Sequence, residues 1–444
     1  MTAPRTICFG FLAVIAVGTI LLMLPFSTSS GNWNSPIVAL FTATSAVCVT
    51  GLAVVDTGSD FSFWGQLFIL LLAQIGGLGY MTTTTFLILL TGRRFDLKQK
   101  VAIQQALDRR EMHGSAQIIR SIIATTLIFE ITGVFLLLSV FAKDFGFSKG
   151  LWLAIFHSVS AWNNAGFSLF SDSLVQYQSS GLVIFTISGL IIFGGIGYQV
   201  ILETFLWLRD RMMRKTEYQV FSLDFKVSVS TTIFLLLVGT IAFFGVELRN
   251  SGTLRMLDFN DKLLAAIFQS VTTRTAGFNG IDIGKMTTAG LFMTIALMFI
   301  GASPGGTGGG LKTSTLRVLT SCTKTILQGQ EKVSLYERRI PLSLVLKAVG
   351  ALVASVGAII SITTLIALTD SNFSFLQILF EVVSGFATVG LSTGITSSLS
   401  ITAKLILIVT MYIGRVGILL LMSAILGDPR PSNIQYPEEN LLVG

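Results

Sequence analysis

Long apolar runs and shorter amphipathic runs alternate along the chain in an order that is repeated four times. Each copy has a long apolar run, a short amphipathic run, a phrase that contains glycine, and a second long apolar run. A helix needs roughly 20 apolar residues to cross the hydrocarbon core of a bilayer. Runs suited to crossing lie at about 6–26, 64–91, 119–142, 180–208, 227–247, 287–327 (interrupted), 341–369 and 399–426. The pattern therefore predicts eight helical crossings, two in each copy.

The four short runs predict a different element. They lie at about 36–48, 150–163, 261–273 and 374–386, each between two long runs. Helices of this length are too short to span a bilayer, but they suit re-entrant segments that surrounding protein covers. We therefore expect four half-helices, each ending at one of the glycine-containing phrases.

The glycines of the four phrases are spaced at nearly equal intervals of 115, 111 and 113 residues. A fixed internal period indicates repeated structural units. We predict an all-α polytopic membrane protein in which four tandem repeats of helix, pore half-helix, filter loop and helix surround a pseudo-fourfold central pore. The predicted repeats are residues 1–92, 93–210, 211–328 and 329–444, the last of which includes a C-terminal tail.

The phrases have the composition of a cation filter. A ring of backbone carbonyl groups replaces the hydration shell of a cation without using fixed charge, and glycine permits the unusual dihedral angles that such a loop needs. One phrase, Thr388-Val389-Gly390, matches the start of the potassium-channel filter signature. The predicted K⁺ filter consists of Val49, Thr50, Gly51, Asn164, Ala165, Gly166, Thr275, Ala276, Gly277, Thr388, Val389 and Gly390.

Helix packing is the alternative role for these glycines. Packing glycines tend to recur at small-xxx-small spacing within spans, whereas each phrase lies between a short and a long run. Glycine clusters at 76–79, 194–197 and 414–417 do fall within the later runs. We expect these clusters to let the second helix of each repeat cross closely below the filter.

The third repeat has, in place of such a cluster, five glycines and a proline within seven positions of the segment 301–311. This composition cannot continue as a regular helix, and we predict a mobile gate loop below the filter. A phosphate-binding P-loop is the competing interpretation, but Leu311 intrudes before Lys312 and the loop follows an apolar span. The predicted gate residues are Gly301, Ser303, Pro304, Gly305, Gly306, Thr307, Gly308, Gly309, Gly310, Lys312 and Arg415.

Composition and charge agree with a membrane protein. The chain is 52% apolar and 12% charged, with a mean hydropathy of +0.77. Lys and Arg are concentrated in the linkers between repeats, so the positive-inside rule places the linkers and both termini in the cytoplasm. The net charge of +7 then reflects topology, and no pattern suggests nucleic-acid binding. A signal peptide in the first run is disfavoured because no small-x-small cleavage site follows it.

Several charged or polar residues depart from this pattern. In the third repeat, five basic residues fall on the predicted outer side, where we expect local pairs with four acids: Arg249, Arg255, Lys262, Arg274 and Lys285 with Glu247, Asp258, Asp261 and Asp282. Within the spans, Arg415 either opposes a cation below the filter or holds the bundle together through an ion pair with an inward acid such as Glu381. We expect Glu381 to brace the filter loop, Glu130 to bond to a half-helix end, and His157 to be packed behind the pore loop.

The chain shows no sequence pattern typical of an enzyme. Its three cysteines and two histidines lack metal-ligand spacing, and no set of nucleophile and base is evident. We therefore expect neither enzymatic activity nor a covalent cofactor, and the only expected metal is K⁺ at the filter.

The phrases Val-Thr-Gly-Leu, Asn-Asn-Ala-Gly-Phe, Thr-Arg-Thr-Ala-Gly-Phe-Asn and Ala-Thr-Val-Gly-Leu-Ser together resemble the superfamily of Trk, Ktr and plant HKT potassium transporters. The Gly-rich break in the third repeat and the Arg in the last helix strengthen the resemblance. Among the branches, the chain is most similar to KtrB, the membrane subunit of the bacterial Ktr system. In plant relatives a Ser replaces the first filter glycine of Na⁺-selective members, so Gly51 places this chain on the K⁺ side.

The resemblance implies K⁺ uptake in the bacterial plasma (inner) membrane, with activation by Na⁺. It also implies a homodimer of pores on a cytoplasmic ring of KtrA-type RCK subunits, and it places ATP and ADP on that ring. The basic linkers and the C-terminal tail are then candidate docking surfaces. A tightly coupled Na⁺/K⁺ symporter is the alternative, although no second ring of intramembrane carboxylates is visible in the sequence.

Overall fold

The computed structural model describes residues 3–79, 115–214 and 220–427, which are predominantly α-helical. In chain order the helices are α1 (Ala3–Met23), α2 (Pro36–Val47), α3 (Phe63–Leu78), α4 (Ser115–Phe145), α5 (Phe147–Trp162), α6 (Gly181–Ile196), α7 (Tyr198–Met212), α8 (Leu223–Glu247), α9 (Phe259–Thr272), α10 (Thr288–Phe299), α11 (Thr313–Leu327), α12 (Leu342–Thr369), α13 (Phe375–Phe386), α14 (Ile401–Val416) and α15 (Ile418–Leu426). A single-turn helix, Thr57–Asp60, and four 3₁₀ turns lie between them. Strands β1 (Ser334–Leu335) and β2 (Arg338–Arg339) form an antiparallel hairpin.

Four helices of the described chain, α1, α4, α8 and α12, are each long and apolar enough to cross a bilayer. Their outward faces carry large apolar side chains, such as Phe135 and Ile241, which are 70% and 72% exposed. Apolar exposure on this scale is unfavourable in water and is expected where lipid replaces water. The prediction of an all-helical membrane protein is therefore confirmed.

The four short helices, α2, α5, α9 and α13, each pack against the long helix that precedes them. Their starts carry ordinary N-terminal signals: Pro36 occupies the first turn of α2, and Ser374 and Gln377 form a capping box on α13. Their C-terminal halves are buried. The half-helices predicted from the sequence are thus present, with ends within about three residues of the expected positions.

The helices that follow the phrases are broken, which corrects the expectation of continuous second spans. Helices α6 and α7 meet at Gly197 with a bend of 102°, and α14 and α15 meet at Gly417 with a bend of 94°. The φ angles of these glycines, +98° and +88°, lie outside the α-helical region and are accessible because glycine has no side chain. Helix α3 ends at Leu78, and the remainder of its predicted run, from residue 80 to 91, lies outside the described residues.

Other glycines in the same clusters permit close packing, as the sequence predicts. A β-carbon on Gly76, Gly194 or Gly414 would lie 2.1, 1.9 or 1.8 Å from a carbonyl oxygen of the adjacent short helix. In each case that carbonyl belongs to the last residue of the short helix, namely Val47, Trp162 and Phe386. The second helices therefore pass directly against the C-terminal ends of the short helices.

The linker between the first two predicted repeats lies largely outside the described residues, and the C-terminal tail from residue 428 lies outside them entirely. The docking role expected for these segments stays a prediction.

Candidate functional site

The four glycine phrases, residues 49–51, 164–166, 275–277 and 388–390, share one backbone conformation. The first residue of each phrase has a positive φ angle although it is not glycine: 56° at Val49, 56° at Asn164, 66° at Thr275 and 52° at Thr388. The third residue is the glycine, with φ between 72° and 94°. Reversing the sign of φ at alternate residues turns successive carbonyl groups toward the same side of the chain. Left-handed angles are unfavourable for Val and Thr, so the surrounding structure must hold these loops in place.

The phrases close into a ring. Each phrase glycine contacts the carbonyl group that precedes the glycine of the next phrase. A β-carbon would lie 2.6 Å from Ala165 O at Gly51, 2.9 Å from Ala276 O at Gly166, 2.3 Å from Val389 O at Gly277, and 2.0 Å from Thr50 O at Gly390. The order around the ring is therefore the order of the chain, and the last phrase returns to the first. All twelve residues predicted for the filter lie in this ring.

The short helices hold the phrases from behind. The amide groups of Thr50, Ala165 and Val389 donate at 2.8 Å to carbonyl oxygens one turn earlier, at Ser45, Ser160 and Ser384. The hydroxyls of Ser45 and Ser384 also accept from the amides of the phrase glycines, Gly51 and Gly390, at 3.1 Å. Because the amide groups are bonded to the helix ends, the carbonyl groups are the polar groups that the loops present at the ring.

The Gly-rich loop, residues 301–311, packs against the first residues of two phrases. The amide of Gly309 donates to the Thr388 hydroxyl at 2.9 Å, and a β-carbon on Gly308 would lie 2.0 Å from the Thr275 hydroxyl oxygen. On its other side, the amides of Ser303 and Thr307 donate to the carbonyls at the end of α6 at 3.0 and 3.1 Å. The loop therefore lies directly below the ring, where "below" denotes the side of the first phrase residues. The expected irregular conformation is confirmed.

Three buried or half-buried cationic side chains donate to carbonyl groups of this loop. Lys312 Nζ lies 2.8 Å from Gly308 O, and Arg274 Nη2 lies 3.2 Å from Gly301 O. The guanidinium of Arg415 donates to the carbonyl groups of Thr307 and of Gly76 in α3. Within the described part of the chain, none of the three cations pairs with a carboxylate. Three carbonyl groups of the loop, those of Gly301, Thr307 and Gly308, thus accept hydrogen bonds from cationic side chains.

Arg415 and Glu381 do not form an ion pair, so this one of the two predictions for Arg415 is wrong. The Glu381 carboxylate accepts from the Ser392 hydroxyl at 2.5 Å, the Thr393 amide at 3.1 Å and the Thr396 hydroxyl at 2.8 Å. These bonds use the carboxylate to hold the segment that follows the fourth phrase. The bracing role expected for Glu381 agrees with this geometry.

In the third repeat, some of the charged side chains take partners other than those predicted from the sequence. Lys285 and Asp282 form the expected local pair at 2.9 Å, although both are exposed. Glu247 is buried and accepts instead from neutral groups, including the hydroxyls of Thr253 and Thr287 at 2.7 and 2.6 Å. Arg274 is not on the outer surface: it is 8% exposed and reaches the Gly-rich loop. Arg274 is the second residue after the end of α9, and no signal in the sequence predicts its contact with the loop.

Four further polar residues, Asn163, Gln74, Glu130 and His157, form hydrogen bonds around the second phrase. The side-chain amide of Asn163, which caps α5, donates to Gln74 Oε1 at 2.7 Å and to Glu130 Oε1 at 3.3 Å. Glu130 therefore bonds to a half-helix end, as expected. His157 lies 2.8 Å from Leu153 O and 2.9 Å from the Ser168 hydroxyl, and it is fully buried among aromatic rings. Sequence reasoning missed Gln74 and Asn163, because an amide gives no signal until its partners are known.

Four short helices that end at one closed ring of backbone carbonyls, inside a bundle of apolar helices, define a polytopic helical membrane protein built around a central site. The sequence matches the TrkH family, described as cation transport protein, over residues 6–435, and the chain belongs to this family. The superfamily predicted from the four phrases is thereby confirmed.

Individual relatives agree with this assignment. The chain is 40% identical over 441 residues to Ktr system potassium uptake protein B of Vibrio alginolyticus, covering 99% of this chain and 95% of that protein. It is 36% identical to potassium/sodium uptake protein NtpJ of Enterococcus hirae, covering 100% and 98%. The fold matches the crystal structure of the potassium transporter TrkH from Vibrio parahaemolyticus with a TM-score of 0.73 at 20% identity, covering 95% and 85%. These relatives are transporters, and the chain is an integral membrane protein.

Proposed function

We propose that this chain is the K⁺-translocating subunit of a Ktr-type potassium uptake system, with the ring of glycine phrases as its filter. The observation that carries the proposal is the closed ring, in which each glycine contacts the carbonyl of the next phrase. A site made of carbonyl oxygens suits a cation that sheds its water, because the oxygens replace the hydration shell. The names of the relatives support K⁺ as the ion.

The short helices add a favourable field to this site. Each ends immediately before its phrase, so four C-terminal ends converge on the ring. The C-terminus of a helix carries a partial negative charge of roughly half an elementary charge. The ring therefore attracts cations without a carboxylate, which keeps binding weak enough for release.

The Gly-rich loop acts as the gate in this proposal. It lies below the ring, and its carbonyl groups are occupied by Lys312, Arg274 and Arg415. Positive charge at this level opposes a cation that leaves the ring, and the loop itself obstructs the path. Conduction then requires the loop and its cations to move aside.

The remaining features of the proposal come from the family. A Ktr system is a multi-component system by name, which supports control of the gate by a cytoplasmic RCK subunit that binds ATP or ADP. The name of the Enterococcus relative includes sodium, which supports a Na⁺ requirement. We place the protein in the bacterial inner membrane as a homodimer, with its termini and basic linkers in the cytoplasm.

The test is K⁺ uptake in a strain that lacks its own K⁺ systems. The chain is expressed with and without an RCK partner, in the presence and absence of Na⁺, and growth on low K⁺ is followed. Growth that requires both subunits and Na⁺ supports the whole proposal. Uptake by the chain alone, indifferent to Na⁺, removes the regulatory part, and absence of uptake under every condition contradicts the translocation role.

A second measurement separates a channel-like mechanism from a coupled symporter. In proteoliposomes at fixed K⁺ concentrations, the reversal potential is determined while the Na⁺ gradient is varied. For a gated pore that selects K⁺, the reversal potential follows the K⁺ gradient alone. A shift with the Na⁺ gradient establishes coupling and favours the symporter.

A further inference from the structure

Arg274 joins the third glycine phrase to the Gly-rich loop. It lies between the last turn of α9 and Thr275, the first residue of that phrase. Its side chain is 8% exposed, and its Nη2 donates to the carbonyl oxygen of Gly301 at 3.2 Å. Gly301 is the residue at which the loop leaves α10. One side chain therefore reaches from the ring to the start of the loop.

The third phrase touches the loop at a second point. The hydroxyl oxygen of Thr275 lies against Gly308, where a β-carbon would be 2.0 Å away. The two contacts, Arg274 with Gly301 and Thr275 with Gly308, come from adjacent residues of the chain and meet both sides of the loop. A displacement of the loop must therefore disturb the third phrase.

The hydrogen bond between Arg274 and Gly301 is one that can be broken, because no carboxylate of the described residues holds the guanidinium. An arginine stays protonated in proteins, and the C-terminal end of α9 favours a cation at this position. Within the described residues, no carboxylate bonds to its guanidinium, so no strong ion pair fixes it. The acceptor that holds it to the loop is a single backbone carbonyl.

The guanidinium of Arg274 lies next to a small cavity and is only partly hydrogen-bonded. It borders a cavity of about 20 Å³ whose lining includes Gly195, Thr232 and Ala302. Its Nη1 makes no hydrogen bond to the described residues. Protein interiors are close-packed, so a side chain next to free space changes its orientation at lower cost than one surrounded on all sides.

We propose that Arg274 is a positioning residue that couples the Gly-rich loop to the carbonyl ring. With the bond to Gly301 intact, the loop is held below the ring and the third phrase keeps the conformation described above. When the loop moves aside, the bond is released and the third phrase is freed. Ion selection and gating then depend on each other through one side chain. This inference rests on the filter and gate roles proposed above.

The test uses three variants of the full chain in proteoliposomes. Arg274→Gln removes the charge, Arg274→Lys keeps it, and Arg255→Gln is a matched control on an exposed arginine of the same repeat. K⁺ flux without the regulatory subunit and the K⁺/Na⁺ permeability ratio are measured for each. We expect Arg274→Gln to raise the flux and lower the ratio, each by about tenfold, because a hydrogen bond from a charged group is lost. Arg274→Lys should restore both in part, and Arg255→Gln should match the wild type.

Deletion of residues 305–310 distinguishes coupling from a direct effect on the ring. If Arg274 acts through the loop, Arg274→Gln causes no further increase in flux in the deletion background. A full additional increase there overturns the proposal, as does an unchanged flux and ratio in Arg274→Gln alone. If Arg274→Gln does not reach the membrane, Arg274→Lys is compared with the wild type instead. A K⁺ flux and a K⁺/Na⁺ permeability ratio that both equal those of the wild type would then overturn the proposal. A wild-type protein that conducts no K⁺ contradicts the proposed function itself.

Discussion

Arg415 in α14 donates a hydrogen bond to the backbone carbonyl oxygen of Thr307, a residue 108 positions earlier in the chain. The same guanidinium also donates to the carbonyl of Gly76 in α3. One side chain of the fourth repeat thus connects the Gly-rich loop to the first repeat. This contact fixes the loop, and in the proposed gate it also keeps the Thr307 carbonyl from a permeating cation.

Replacing Arg415 by alanine should open the pathway. The variant loses hydrogen bonds from a charged donor, each of which contributes about 1.5–3 kcal/mol, and it removes a positive charge below the ring. We expect K⁺ flux in the absence of the regulatory subunit to rise by about tenfold or more. The flux is measured in proteoliposomes at matched protein content, with Arg415→Lys as the charge-preserving control. A properly inserted alanine variant with reduced flux would show that the arginine assists conduction.

Replacing Gly51 by serine should reduce discrimination against Na⁺. Gly51 has a φ angle of 89°, and a β-carbon there would lie 2.6 Å from the Ala165 carbonyl oxygen. The side chain must therefore displace a carbonyl of the ring. The K⁺/Na⁺ permeability ratio is expected to fall by about tenfold, which corresponds to roughly 1.4 kcal/mol of relative ion binding.

A matched control for Gly51→Ser is Gly350→Ser, since a β-carbon on Gly350 in α12 has no neighbour within 4 Å. Gly277→Ser, with 2.3 Å to the Val389 carbonyl oxygen, should behave like Gly51→Ser. Unchanged selectivity in both ring variants would remove the filter assignment.

Deleting residues 305–310 should make uptake less dependent on the cytoplasmic partner. This segment contains Thr307 and Gly308, the acceptors of Arg415 and Lys312, together with the amide of Gly309 that bonds to Thr388. Its removal takes away the obstruction and the bonds that hold it. Growth on low K⁺ without the RCK subunit is the measurement, and membrane abundance is determined alongside. A stably inserted deletion variant that still needs the partner would contradict the gate.

The C-terminal end of α12 makes a pH-dependent contribution to stability. Burial of Asp370 disfavours its charged form. Hydrogen bonds from the Ser400 hydroxyl at 2.6 Å, from the Ser400 amide at 2.7 Å and from the Thr369 hydroxyl favour the charged form. The hydrogen bonds outweigh the effect of burial, so the pKa of Asp370 is lowered. The ionised form is therefore favoured in the folded protein. Its contribution is complete above the ordinary pKa of an aspartate, about 3.9, and it is lost as the pH falls through the lower folded value.

Asp370→Asn should consequently destabilise the protein at neutral pH by about 1–3 kcal/mol. In thermal unfolding of the detergent-solubilised protein, the difference in Tm between variant and wild type should narrow between pH 6 and pH 3. Asp60→Asn serves as the control. A difference that stays constant over this range would mean that the charge of Asp370 contributes nothing.

Much of this architecture follows from the sequence, because it depends on local properties. The length of each apolar run, the glycine spacing of 115, 111 and 113 residues, and the short amphipathic runs predict the membrane helices and the four half-helices. The glycine phrases could be located because only glycine tolerates a φ angle such as the 94° of Gly390 next to a neighbouring carbonyl. Helix length and backbone freedom are properties of the segment itself.

The tertiary structure alone decided which partners the charged side chains take. Arg415 bonds to Thr307 and Gly76, which lie 108 and 339 residues away, and Arg274 bonds to Gly301 instead of to an acid on the outer surface. It also decided that the runs containing Gly197 and Gly417 bend sharply instead of continuing. These outcomes depend on which segments the closed ring brings together. A buried donor takes the acceptor that packing places within reach, and sequence proximity does not determine that acceptor.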